Sequence, residues 1–189
     1  LHGSHQASNA ATALVAVEVF MGESALDGEI VRAAFANATS PGRCEIVMRN
    51  PTVIIDAAHN PHGARSLRRT IEEEFEFDAV IGVLASMGDK DVEGIISECE
   101  PIFDRVITTK NSSHRAADIS KISDIAKKVF GNDRVSSESH LESAIKAAIE
   151  AARFEYATND RSCAVVITGS VVTAGEARSA IARMKGNLS

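Results

Sequence analysis

Four side chains in this sequence stand where chemistry is possible: Arg43, Asp56, His59 and Ser170. Asp56 ends the apolar run Val53-Ile54-Ile55 and is followed at once by His59, Asn60 and Pro61. A carboxylate at the carboxyl end of a buried strand lies where open α/β sheets collect ligands, and it can accept hydrogen bonds from two vicinal ribose hydroxyls. It can equally close an Asx turn or cap the helix that follows. His59 and Asn60 read either as turn residues, since both tolerate unusual backbone angles, or as part of one compact polar set with Asp56. Arg43 follows Pro41-Gly42. Its planar fork matches phosphate oxygens across a cleft, or it is an exposed linker arginine. Thr168-Gly169-Ser170 closes a second apolar run and offers N–H groups and a hydroxyl to an anion, or Ser170 simply caps a helix. Gly88-Asp89-Lys90-Asp91 supplies a cap at either aspartate and a lysine able to orient a carboxylate or phosphate. Asn9 reads as the cap of a helix beginning near Ala10, while His2 and His5 lack a third ligand and are assigned no metal.

The elements that must position these groups alternate along the chain. Helices are expected over Ala7–Phe20, with Ala13, Val17 and Phe20 on one face, and over Asp27–Ala38. Thr39-Ser40-Pro41-Gly42-Arg43 is a breaker-rich junction and the best domain boundary. Beyond it, strands are expected at Glu45–Met48 and Thr52–Asp56, then helix Pro61–Phe75 and strand Ala79–Leu84. Helix Val92–Phe103, strand Arg105–Thr108, helix Ile119–Phe130, strand Arg134–Ser136 and helix Leu141–Tyr156 follow. Strand Ala164–Thr168 and a helix through Met184 complete the series. Such alternation implies right-handed crossovers and a mostly parallel sheet, a Rossmann-like α/β fold from about Pro41 onward.

Composition narrows the function classes. With 189 residues, 44% hydrophobic and 24% charged, the chain suits one full domain and part of another. A net charge of -6 without a basic stripe argues against nucleic acid as partner. Arg65, Arg68 and Arg69 precede Glu72, Glu73 and Glu74, an i,i+4 pattern that reads as a solvated helix face. Three scattered cysteines without CxxC spacing point to neither disulfides nor zinc, so a reducing cytoplasm is the default. No apolar run is long enough for a membrane span. Neither a G-x-x-x-x-G-K-[ST] loop nor a G-x-G-x-x-G turn occurs, so the cradle for β- and γ-phosphates is lacking and a dinucleotide dehydrogenase is disfavoured.

The set Asp56-Ala57-Ala58-His59-Asn60-Pro61 resembles the Asp-Gly-Ala-His-Asn-Pro motif of the folylpolyglutamate and dihydrofolate synthases, members of the ATP-dependent Mur ligase superfamily, with Ala57 in place of glycine. Pro41-Gly42-Arg43, Asp89-Lys90-Asp91, Gly169-Ser170 and the stretch from Gly3 to Asn9 are similar to that family too, and His114-Arg115 resembles its Arg-Ala. The resemblance implies a three-layer α/β domain over 41–189, preceded over 1–40 by helices from the end of a central ATPase domain. It implies ATP-dependent addition of L-glutamate to a folate or dihydropteroate carboxylate through an acyl phosphate. Asn9 would recognise adenine, Arg43 and Asp56 would bind ATP, and His59 would lie near the acyl phosphate or incoming glutamate. Ser170 would contact substrate, and the Mg²⁺ ligands would lie upstream, so this piece alone would not turn over. A peptidoglycan-type Mur ligase domain and a non-catalytic nucleotide-binding α/β module are the alternatives.

Overall fold

The computed structural model describes residues 2–22 and 26–186. Six strands form one sheet in the order β1-β2-β6-β3-β4-β5, all parallel except β1. Here β1 is Glu45–Arg49, β2 Thr52–Ile55, β3 Ala79–Leu84, β4 Arg105–Thr108, β5 Val135–Ser137 and β6 Cys163–Thr168. The helices are α1 His5–Phe20, α2 Gly28–Ala36, α3 Pro61–Glu74, α4 Val92–Cys99, α5 Ile119–Phe130, α6 Leu141–Asn159 and α7 Val171–Gly186.

The pleat sorts side chains to two faces. From β2, Ile54 packs with α3, α4 and α5, while Val53 and Ile55 pack with α6 and α7. From β3, Val80 and Leu84 join the first core, and Ala79, Ile81 and Val83 the second. Strands covered on both faces must be apolar throughout, which is why β3 and β6 read as continuous hydrophobic runs. Gly82 is required for the same reason: a Cβ there would lie 2.3 Å from the Phe103 ring, which fills its place in the first core. Helix α3 buries Ala64, Leu67, Thr70 and Ile71, a stripe at helical spacing, and turns its arginines and glutamates outward.

The expected elements are present, and apart from shifts of up to three residues in other bounds, three differences stand out. The helix expected over Val92–Phe103 ends at Cys99 and tightens into a 3-10 turn over Glu100–Ile102, because Pro101 cannot supply an N–H to the α-helical ladder. The strand expected at Arg134 begins one residue later, after a 3-10 turn over Asn132–Arg134. The third difference concerns the first helix. No residue of α1 is buried, Val17 is 47% exposed and Phe20 88%, so the expected apolar face has nothing to pack against among the described residues.

Candidate functional site

The site is built at the carboxyl end of β2. Asp56 continues the strand by one bond, its N–H donating to Ile167 O at 2.9 Å, and there the chain breaks away. Its Oδ1 accepts from Ala58 N–H at 2.8 Å, an Asx turn, and its Oδ2 accepts from Cys44 N–H at 2.9 Å. Burial pushes the Asp56 carboxyl above its ordinary value, against these two amides and the nearby Arg43 guanidinium, which pull it down.

The junction is shaped to meet this elbow. Arg43 N–H donates to Ser40 O at 3.1 Å across Pro41 and Gly42, and Gly42 has φ +74°. This is the type II turn that proline at its second position and glycine at its third favour. Gly42 O then accepts from Ala57 N–H at 2.7 Å. Cys44, at φ +45°, turns its N–H onto Asp56. Two bonds therefore clip the turn bearing Arg43 to the elbow. The Cys44 thiol beneath them is buried, and burial pushes its pKa up to about 12, so it is a neutral floor and not a nucleophile.

Beyond Asp56, Asn60 caps α3, its Oδ1 accepting from Gly63 N–H at 2.8 Å, and Pro61 occupies the first turn. His59 is exposed, with Nδ1 3.0 Å from Ala57 O. A carbonyl only accepts, so Nδ1 is the donor in this contact. The N-terminal segment is tied to the far end of α3. Glu74 accepts from Gly3 N–H at 2.5 Å and pairs with His2 Nδ1 at 2.7 Å. Gly3, at φ +101°, lies so close to Thr70 that a Cβ would sit 2.6 Å from its hydroxyl oxygen. Helix α1 thereby reaches the elbow. It begins at His5, with Ser4 at its N-cap, so Asn9 lies inside the helix and does not cap it. Instead its Nδ2 donates to Gln6 Oε1 at 3.2 Å.

A cavity of about 350 Å³ results, and Asn9, Arg43, Asp56 and His59 all line it. Residues far apart in sequence thus converge on one polar concavity at a position where the sheet changes face. The helix after β2 covers one side and the helix after the adjacent β6 covers the other, the place where such sheets bind ligands.

Ser170 is not brought to that cavity. It is 2% exposed, and its Oγ accepts from Thr173 N–H at 3.0 Å at the start of α7. Thr173 Oγ1 gives its only proton to Ala85 O at 2.8 Å, so the 2.7 Å contact between the two hydroxyls must be donated by Ser170. Asn111 Nδ2 donates to both oxygens, at 3.2 Å and 3.0 Å. The Ser170 hydroxyl is therefore fully engaged: its proton and both lone pairs are used inside the protein. Its bonds in this structure all stay within the protein, and Asn111, which pattern reasoning missed, is the hub. A lone asparagine in a Lys-Asn-Ser-Ser loop carries no sequence signal of burial.

The Asp89-Lys90-Asp91 triplet divides its work. Asp91 caps α4 through Gly94 N–H at 2.9 Å, while Asp89 accepts from Arg115 at 2.7 Å with Lys90 Nζ 3.6 Å away. Among the described residues no group of three or more His, Cys, Asp or Glu is placed to hold a metal, and no helix is long and apolar enough to cross a membrane.

Residues 42–171 match the family model described as Mur ligase, glutamate ligase domain. The chain is 48% identical over 192 residues to the dihydrofolate synthase/folylpolyglutamate synthase of Mycobacterium tuberculosis, covering 97% of this chain and 39% of that protein. Its counterpart in Bacillus subtilis is 30% identical, over 70% of this chain and 32% of that protein. A crystal structure of the M. tuberculosis folylpolyglutamate synthase complexed with ADP and AMPPCP superposes with TM-score 0.92 at 50% identity, over 96% of this chain and 41% of that one. E. coli FolC in complex with DHPP and ADP superposes with TM-score 0.78 at 25% identity, over 94% of this chain and 39% of that one. The chain thus spans 39% of the length of the M. tuberculosis protein and 32% of that of B. subtilis.

Proposed function

The chain belongs to the Mur ligase family through its glutamate ligase domain, and on that premise we propose that it is the C-terminal part of an ATP-dependent ligase that adds L-glutamate to a folate or dihydropteroate carboxylate. The observation that carries this reading is the convergence of Asn9, Arg43, Asp56 and His59 on one cavity. Residues 1–40 are then the end of a central ATPase domain and residues 41–189 the C-terminal domain, with the turn at Pro41-Gly42 between them.

In this reading the cavity takes the nucleoside end of ATP. Each Asp56 oxygen uses one lone-pair site on a backbone amide and keeps another, so turn closure and ribose binding are compatible roles for one carboxylate. Asn9 presents an amide to adenine, and the Arg43 guanidinium reaches the phosphates. Relatives complexed with ADP and AMPPCP support nucleotide binding here. In this reading the phosphate loop and the Mg²⁺ ligands would be supplied by the central domain of the longer ligase. Bound Mg²⁺ offsets the charge that develops on the transferred phosphoryl group.

The carboxylate oxygen of the folate or dihydropteroate takes the γ-phosphoryl group as ADP leaves. The amino group of glutamate then attacks the acyl carbon, loses a proton, and phosphate departs from the tetrahedral intermediate. His59, with Nδ1–H fixed on Ala57 O, directs Nε2 outward, where it can accept a hydrogen bond from the incoming amine. Ser170 acts at one remove by holding the β6–α7 turn. The test is ADP release and glutamate ligation by the longer protein, with dihydropteroate and tetrahydrofolate offered separately. Glutamate-dependent ADP release with at least one of them is expected, and its absence with both rejects the proposal.

A further inference from the structure

At the opposite end of the sheet, against the amino ends of β2 and β6, lies a cleft of about 480 Å³, a size suited to a small organic ligand. Arg49 at the end of β1 and Arg153 on α6 both line it, and neither guanidinium has a hydrogen bond or ion pair among the described residues. No Asp or Glu lines the cleft. Two carboxylates nearby in sequence, Asp78 and Glu155, are engaged elsewhere, while Glu150, one turn before Arg153 on α6, lines a neighbouring cleft together with Arg153. Asp78 Oδ2 accepts from Ser162 N–H at 2.8 Å and Ser162 Oγ at 2.9 Å, and Glu155 accepts from Asn159 with Arg161 at 3.9 Å. In a chain of net charge -6, two arginines without a hydrogen bond or ion pair among the described residues, around a concavity that no carboxylate lines, give it a local positive character.

The same cleft carries two rings. Tyr156 is 66% exposed, and Phe77 is half-buried and held by a stacked contact with Phe75, centroids 5.5 Å apart and planes 16° from parallel. Buried Ala152 and Cys163 also line it, and burial pushes the Cys163 thiol up to about 11, so this part of the wall is uncharged.

We propose that this basal cleft binds a small planar aromatic carboxylate, its ring against Tyr156 and Phe77 and its anionic end on Arg49 and Arg153. Guanidinium forks pair with carboxylates in a plane, and the two rings favour a flat partner over an aliphatic one. The site is separate from the Asp56 cavity, so it stands or falls independently of the ligase reading.

Tyr156 is the single tyrosine of the chain and there is no tryptophan, so its ring resonances report on the cleft without ambiguity. The 189-residue chain is titrated with benzene-1,3-dicarboxylate and followed by NMR. A saturable shift of the Tyr156 ring signals is expected, with affinity weakened at least about tenfold in Arg49→Ala and again in Arg153→Ala. Both arginines are exposed, and an unchanged amide spectrum elsewhere checks that the variants fold. Benzyl alcohol and inorganic phosphate, which each lack half of the recognised group, should bind at least about tenfold more weakly. Unmoved Tyr156 signals overturn the proposal, as does an equal response in the double variant. Phosphate binding as well as the dicarboxylate overturns the ligand class. In the longer protein, signals that no longer respond would mean that another segment of polypeptide fills the cleft, which also overturns it.

Discussion

Asp56 commits both carboxylate oxygens to backbone amides, one at Cys44 just past the Pro41-Gly42 turn and one inside its own elbow. Removing it therefore strands two N–H groups and loosens Arg43 along with the elbow. Asp56→Ala is expected to lower the unfolding free energy by about 2–4 kcal/mol in urea denaturation, and Asp56→Asn, which keeps one acceptor oxygen, by about half that. A loss under about 0.5 kcal/mol for Asp56→Ala would show that the clip contributes nothing. A second residue-scale prediction concerns pH. Burial raises the Glu74 carboxyl, but the hydrogen bonds from His2 and Gly3 prevail and hold it below its ordinary value of 4.5. A depressed carboxyl contributes stability that is present above the unfolded value and lost as pH falls through the folded one. Protection of the Gly3 amide against exchange, corrected for intrinsic rate, is expected to hold steady from neutral pH down to 4.5 and to collapse below it. Constant protection through that range would rule out Glu74 as the anchor of the N-terminal segment.

At the scale of elements, the strand ends are fixed by turns that admit little substitution. Gly169 has φ +113°, and a Cβ there would lie 2.5 Å from Ala85 O, a backbone atom that cannot swing aside. Gly169→Ala is expected to cost about 2 kcal/mol or more, measured by the urea midpoint. Ser170→Ala removes the α7 cap and leaves Asn111 one acceptor short, a loss of about 2 kcal/mol. Because the hydroxyl is wholly engaged within the protein, the variant of the proposed ligase is expected to keep its KM for glutamate while losing thermal stability. A raised KM with unchanged Tm would instead make Ser170 a substrate contact. The β2–elbow–α3 unit was legible in the residues, since β-branched residues, a polar break, Asn60 and Pro61 are each local signals. The early end of α4 was not read, although Pro101 carried the information.

Across the whole molecule, the two cores and the two N-terminal helices differ in kind. Phe103 is 1% exposed between β3, β4 and α4, whereas Phe20 on α1 is 88% exposed. Phe103→Ala is expected to cost about 3–5 kcal/mol, whereas Phe20→Ser should change the unfolding free energy of this chain by less than about 0.5 kcal/mol. A large loss at Phe20 would show that α1 packs on the α/β domain through its apolar side chains. What the sequence determined by itself was everything that depends on neighbours along the chain. Runs of valine and isoleucine with breakers between them specify strands buried on both faces, and Arg43 and Asp56 are separated by a single strand pair, so their meeting followed from a short turn. Only the tertiary structure decided the contacts between distant segments. Asn9 reaches the cavity because the residues before α1 are bound to Glu74, and Ser170 is withdrawn from it because Asn111, 59 residues earlier, buries and saturates its hydroxyl. Hydrogen-bond satisfaction is a property of the three-dimensional neighbourhood, and no local pattern of residue types encodes which buried partner completes it.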